Sequence, residues 1–101
     1  MKRLTINDVS AYLKDTKEPA ALLDVRTPEE FRQGHLPGAV NLPLSSLSKA
    51  SSLYDKNDHL ILYCHSGARS RLGAFQLKLR GFKKVTNAGG IADYEGEQIR
   101  D

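Results

Sequence analysis

Two short stretches of the chain are apolar without alternation: residues 20–25, AALLDV, broken only by Asp24, and residues 60–63, LILY, which end at Cys64. A strand with one wet face alternates apolar and polar side chains. The first run suits a short strand buried on both faces of a parallel sheet, and the second is the most apolar strand in the chain. Ala39 to Leu42 and a segment headed by Val85 are two further strand candidates.

Helical signals separate these runs. Thr5 or Asn7 can cap a first helix whose apolar positions Val9, Tyr12 and Leu13 fall at i, i+3 and i+4, before the break at Lys17-Glu18-Pro19. After the first strand, Thr27 caps, Pro28 takes the first helical position, Glu29 and Glu30 set negative charge in the first turn, and Gly34 ends the helix. The Ser-rich stretch from Pro43 to Ser52 is expected to hold a short helix. From Ala68 to Arg80 the residues Ala68, Leu72, Phe75 and Leu79 mark one face of a longer helix, with Gly81 as its C-terminal stop. Gly89-Gly90 reads as a turn before a short helix around Ile91 to Glu95. Strands alternating with helices, without internal repeats, predict one α/β domain over residues 1–101, a central mostly parallel sheet of about five short strands with helices on both faces.

Composition narrows the function classes. Apolar runs of four or five residues fall well short of the roughly 20 needed to cross a bilayer. MKRLTINDVS has no apolar core and no small-residue cleavage site, so it does not read as a secretory signal. The expected location is the cytoplasm, or the periplasm if a signal has been removed. A net charge of +3 with no basic run longer than two speaks against nucleic-acid binding, and no membrane partner is expected. Nothing in the pattern requires a partner for folding, and a monomer is expected. With one cysteine there is no internal disulfide, and His35, His59 and His65 lack zinc-ligand spacing, so no metal or other cofactor is expected.

Cys64 is therefore a buried small residue or a working thiol, and its position favours the second. In parallel sheets ligands bind beyond the carboxyl ends of the strands. The turn from His65 to Arg69 can curl its N–H groups into an anion cradle opening on a helix N-terminus, with Gly67 easing the bend. Positive potential of that kind lowers a thiol pKa. Arg69 adds a permanent cation, and the Ser70 hydroxyl can donate back to the sulfur. Such a loop holds an anion while the thiolate attacks it. Thiosulfate and phosphate esters both fit.

At these residues the chain resembles the rhodanese-like sulfurtransferase family, in its small single-domain form. The resemblance is carried by LLDVRTPEEFRQGHLPGAVNLPL at 22–44, LILYCHSGARS at 60–70 and GFKKVTNAGGIADY at 81–94. It implies that Cys64 takes the outer sulfur of a small anionic donor such as thiosulfate as a persulfide and passes it to cyanide or a thiol, without a metal. His65, Ser66, Gly67, Ala68 and Arg69 would bind the substrate, and Ser70 would support the thiolate. Tyr94 stands where many relatives carry Trp, a change expected to leave the fold intact. Phosphatases of related fold have a loop one residue longer between Cys and Arg than the four residues here, and the tighter ring favours sulfur transfer. Two alternatives stay open: a small anion phosphatase or arsenate reductase on the same scaffold, and a non-enzymatic redox-sensing or binding module.

Other polar residues have plainer readings. Asp24 and Arg26 are expected to form an internal salt bridge or bond nearby loops, His35 to stabilise its turn, His65 to line the mouth of the site, and His59 to lie on the surface.

Overall fold

In the computed structural model, residues 4–100 are described; the basic pair Lys2-Arg3 of the leader expectation lies outside them. The two continuous apolar runs are the centre of the sheet. Strand β1 is Ala20–Asp24, β2 Val40–Asn41, β3 His59–Cys64 and β4 Lys84–Gly90, in the order β2-β1-β3-β4. All three pairings are parallel, with Leu22 opposite Ile61 and Leu23 opposite Leu62. The expected count of about five strands is corrected to four among the described residues. The segment before the first helix forms a turn, the Asp8 N–H donating to the Thr5 carbonyl at 2.9 Å.

Strand β3 explains why its sequence cannot alternate. Leu60, Leu62 and Cys64 pack into one core with Leu47, Ala50, Leu77 and Phe82, while Ile61 and Tyr63 pack into a second with Ile6, Val9 and Leu36. Every residue from Leu60 to Cys64 is at most 1% exposed. Burying each large apolar side chain contributes about 1.5–3 kcal/mol relative to exposure. Helix α1, Val9–Asp15, covers the second face; α3, Ala50–Leu53, and α4, Ala68–Leu79, cover the first. Helix α2, Pro28–Gln33, buries no residue.

Local chemistry sets most helix ends. Thr27 and Glu30 form the full reciprocal capping box at the start of α2, with Pro28 at the first helical position. At the end of α4, the Phe82 N–H donates to Leu77 O and the Gly81 N–H to Lys78 O, both at 3.1 Å, with Gly81 at φ +99. That is the Schellman arrangement, which a glycine enters without strain. The Ser-rich stretch becomes a 3-10 turn, Leu44–Lys49, running into α3.

Four expectations are corrected. The N-cap of α1 is Asp8, not Thr5 or Asn7; the Thr5 N–H and hydroxyl donate to the Asp8 carboxylate, and Asn7 ties the N-terminal turn to the Asp93 carbonyl and the Glu95 N–H. Gly89 and Gly90 are not a turn but the end of β4, where a register shift passes Ala88 so that Tyr63 faces Gly89 and Cys64 faces Gly90. The short helix after them is a 3-10 turn, Ile91–Asp93. Finally, the face of α4 turned to the sheet is Ser70, Gly73, Ala74 and Leu77; Leu72, Phe75 and Leu79 point outward. At Gly73 the helix lies too close to its neighbours for a side chain, since a Cβ there would stand 3.0 Å from Leu62 Cδ2 and 3.1 Å from Leu47 Cδ2.

Candidate active site

Cys64 closes β3 at the carboxyl edge of the sheet, and four residues later α4 begins. The loop between them folds back over the sulfur. Gly67 adopts φ +100, and its N–H donates to Cys64 Sγ at 3.0 Å. Gly90 lets the loop sit down on β4: a Cβ there would run into the His65 carbonyl, which itself accepts the Ala92 N–H at 3.1 Å. Gly90 therefore makes room for the loop that follows Cys64.

Burial pushes the Cys64 thiol up, but the Ser70 hydroxyl and the N–H groups of Ser70, Gly67 and Ser66 outweigh it, so its pKa lies below the ordinary thiol value. The sulfur faces this ring of donors from the floor of the loop, with Cys64 only 1% exposed. Around it His65, Ser66 and Ala68 are exposed, and Gly67 and Arg69 are half-buried. Of the five loop residues expected from the sequence, Ser66 and Gly67 present N–H groups to the Cys64 sulfur, as does Ser70, while the Arg69 guanidinium bonds Glu30.

Ser70 is fully buried, and its single proton faces several acceptors: Asn87 Oδ1 at 2.7 Å, Gly67 O at 3.1 Å, and Cys64 Sγ and Gly89 O at 3.5 Å. Asn87 organises this cluster. Its Oδ1 also accepts the Gly89 N–H at 3.0 Å, and its Nδ2 donates to Gly67 O at 3.3 Å, so one amide joins β4 to the Cys loop. No motif in the sequence singled out Asn87.

Arg69 holds a second surprise. Its Nη1 and Nη2 donate to the two carboxylate oxygens of Glu30 at 2.7 and 2.9 Å, a forked pair between the start of α4 and α2. That hydrogen-bonded guanidinium lowers the Glu30 pKa to about 2, and Glu30 in turn raises Arg69. The sequence marked Glu30 only as negative charge in the first turn of a helix; its pairing needed a partner 39 positions away.

The remaining polar groups are structural. Arg26 grips buried Asp24 through Nε and Nη2 at 2.8–3.1 Å and donates to Gly34 O at 2.6 Å, as expected of an internal pair. His35 stacks on Phe31 and bonds its carbonyl. His59 is not on the surface: Tyr12 Oη lies 3.0 Å from its Nδ1 and Thr86 Oγ1 2.7 Å from its Nε2, and burial lowers its pKa. Tyr12, His59 and Thr86, with Asn87, border a cleft of about 800 Å³ between α1 and β4. Among the described residues no His, Cys, Asp and Glu cluster could hold a metal ion, and no helix is long and apolar enough to cross a membrane.

Comparisons with known proteins agree with this geometry. A family model described as the rhodanese-like domain matches residues 5–97. YrkF of Bacillus subtilis is 40% identical over 84 residues, 82% of this chain, which span only 45% of that protein. The thiosulfate sulfurtransferase PspE of Escherichia coli is 40% identical over 80 residues, 77% of each chain. A solved E. coli structure described as rhodanese with anions superposes with a TM-score of 0.74 at 34% identity, covering 81% of this chain and 99% of its own.

Proposed function

Because the chain belongs to the rhodanese-like domain family, we propose that it is a sulfurtransferase working through a persulfide on Cys64. The observation that carries this reading is the Cys64 sulfur at a strand end, receiving the Gly67 N–H at 3.0 Å with its pKa held below that of a free thiol. The Cys64 thiolate attacks the outer sulfur of thiosulfate. A new Sγ–S bond forms, the S–S bond of thiosulfate breaks, and sulfite leaves with its electron pair. The negative charge now on the outer sulfur meets the same N–H groups, which need no reorganisation. An acceptor, cyanide or a thiolate, then attacks that outer sulfur and returns Cys64 to the thiolate.

His65, Ser66, Gly67 and Ala68 surround the incoming anion in this reading, and Ser70 supports the sulfur from below. Arg69 contributes the N–H groups that Glu30 leaves unused, since a guanidinium carries five. The test is intact-mass measurement after incubation with thiosulfate. The protein should gain one sulfur atom and Cys64→Ser none; no gain by the native protein, or gain that survives the substitution, refutes the reading.

A further inference from the structure

Helix α4 is apolar on two opposite sides. Its sheet side is buried, while Leu72, Phe75 and Leu79 stand 49, 60 and 72% exposed on the outer side and belong to neither core of the described residues. Spacing of i, i+3 and i+7 sets them in one stripe. Exposed Ala68, four residues before Leu72, extends the stripe back to the Cys64 loop.

The formal charge carried by α4 itself has one sign, and the acidic partner at its start, Glu30 of α2, is paired with Arg69. No Asp or Glu occurs from His59 to Ala92, and Arg71, Lys78 and Arg80 fringe the stripe. Among the described residues the salt bridges of this basic stretch engage Arg69 and Lys84, and none engages those three. An apolar centre with a basic rim is complementary to an apolar patch rimmed by Asp and Glu.

We propose that the outer face of α4 docks an acidic protein that carries the acceptor thiol, an assignment that rests on the sulfur transfer proposed above and names its acceptor class. A partner seated along the stripe reaches the loop at its N-terminal end, so docking delivers a thiolate to the sulfur. That thiolate attacks the outer sulfur of the persulfide; the Sγ–S bond breaks, its electron pair returns to Cys64, and the sulfur leaves as the partner's persulfide. No net oxidant or reductant is consumed.

The test uses two synthetic peptides, each with one cysteine and the same leucine spacing, one with Glu and the other with Lys at the remaining positions. The thiosulfate-loaded protein should transfer sulfur to the Glu peptide at least about tenfold faster than to the Lys peptide at low ionic strength, an advantage that shrinks as salt is added. Phe75→Glu and, separately, Lys78→Glu should slow transfer to the Glu peptide by about fivefold or more while transfer to cyanide stays within about twofold. Equal transfer to both peptides, or variants that leave the preference intact, overturns the docking assignment. If the protein fails to load or to serve cyanide, sulfur transfer itself is refuted, and anisotropy of the alkylated, fluorescent peptides then decides the docking face alone by the same preference. Binding to phosphatidylglycerol vesicles, or a concentration-dependent dimer, that is lost in Phe75→Glu while the peptides show no preference assigns the face to lipid or to a second copy and overturns the proposal.

Discussion

Removing the Ser70 hydroxyl tests how the loop holds its thiolate. Ser70→Ala deletes the O–H that lies 3.5 Å from Cys64 Sγ, while the Gly67 N–H at 3.0 Å stays in place. Asn87 Oδ1 loses its 2.7 Å donor but keeps the Gly89 N–H, so no buried acceptor is orphaned. A hydrogen bond to a charged group contributes about 1.5–3 kcal/mol, and this one is long and shared, so about 1 kcal/mol of thiolate stabilisation should go. That corresponds to about fivefold less thiolate at any pH below the titration. The sign follows directly: a donor to the charged form is lost, so the thiol pKa rises. Iodoacetamide alkylation across pH reads it, the variant lagging about fivefold at low pH and converging with the native protein at high pH. Equal rates at low pH would show that the hydroxyl serves Asn87 alone, and a lag at every pH would show altered access instead.

Three further outcomes follow from the same contacts. Glu30→Gln keeps the capping acceptor but loses the charge. Because Arg69 holds Glu30 down to about 2, the pair stabilises the fold above the ordinary carboxylate range and loses that contribution as pH falls through about 2. Acid unfolding should therefore show a native advantage of at most about 1 kcal/mol near neutrality, small because both side chains are about one-third exposed, vanishing below about pH 2. Asp24→Ala strands the buried Arg26 guanidinium and should cost about 3–5 kcal/mol in urea unfolding, whereas an exposed control, Lys14→Ala, should change little. Gly90→Ala forces a Cβ against the His65 carbonyl, so the melting temperature should fall by several degrees and sulfur loading of Cys64 should slow; an unchanged loading rate would show that the loop tolerates displacement from β4.

The features legible in the sequence were those governed by neighbours along the chain. AALLDV read as a strand buried on both faces because its run shows no wet side, and LILY as the most apolar strand; the structure buries Leu22 to Val25 and Leu60 to Tyr63. Thr27, Pro28 and Glu30 read as a helix start and Gly81 as a helix stop, since caps are closed within a few residues. The Cys64 loop was visible for the same reason: the sulfur, the Gly67 N–H and the Ser70 hydroxyl lie within seven consecutive positions.

Tertiary structure decided what depends on distance of approach between elements. The spacing of Leu72, Phe75 and Leu79 marks a helix face but carries no sign telling inside from outside. Only the closeness of α4 to Leu62 and Leu47, which demands Gly73 and Ala74 at the contact, turned that face outward. Glu30 and Asn87 likewise have no local signature for their partners, Arg69 and the Cys64 loop. So the chain's own order determined the elements and the Cys64 loop, because those rest on short-range geometry. The charge partner of the loop, the room that Gly90 makes for it and the outward apolar face were decided only when β4, α2 and α4 packed around the end of β3, because each depends on atoms brought together from distant positions.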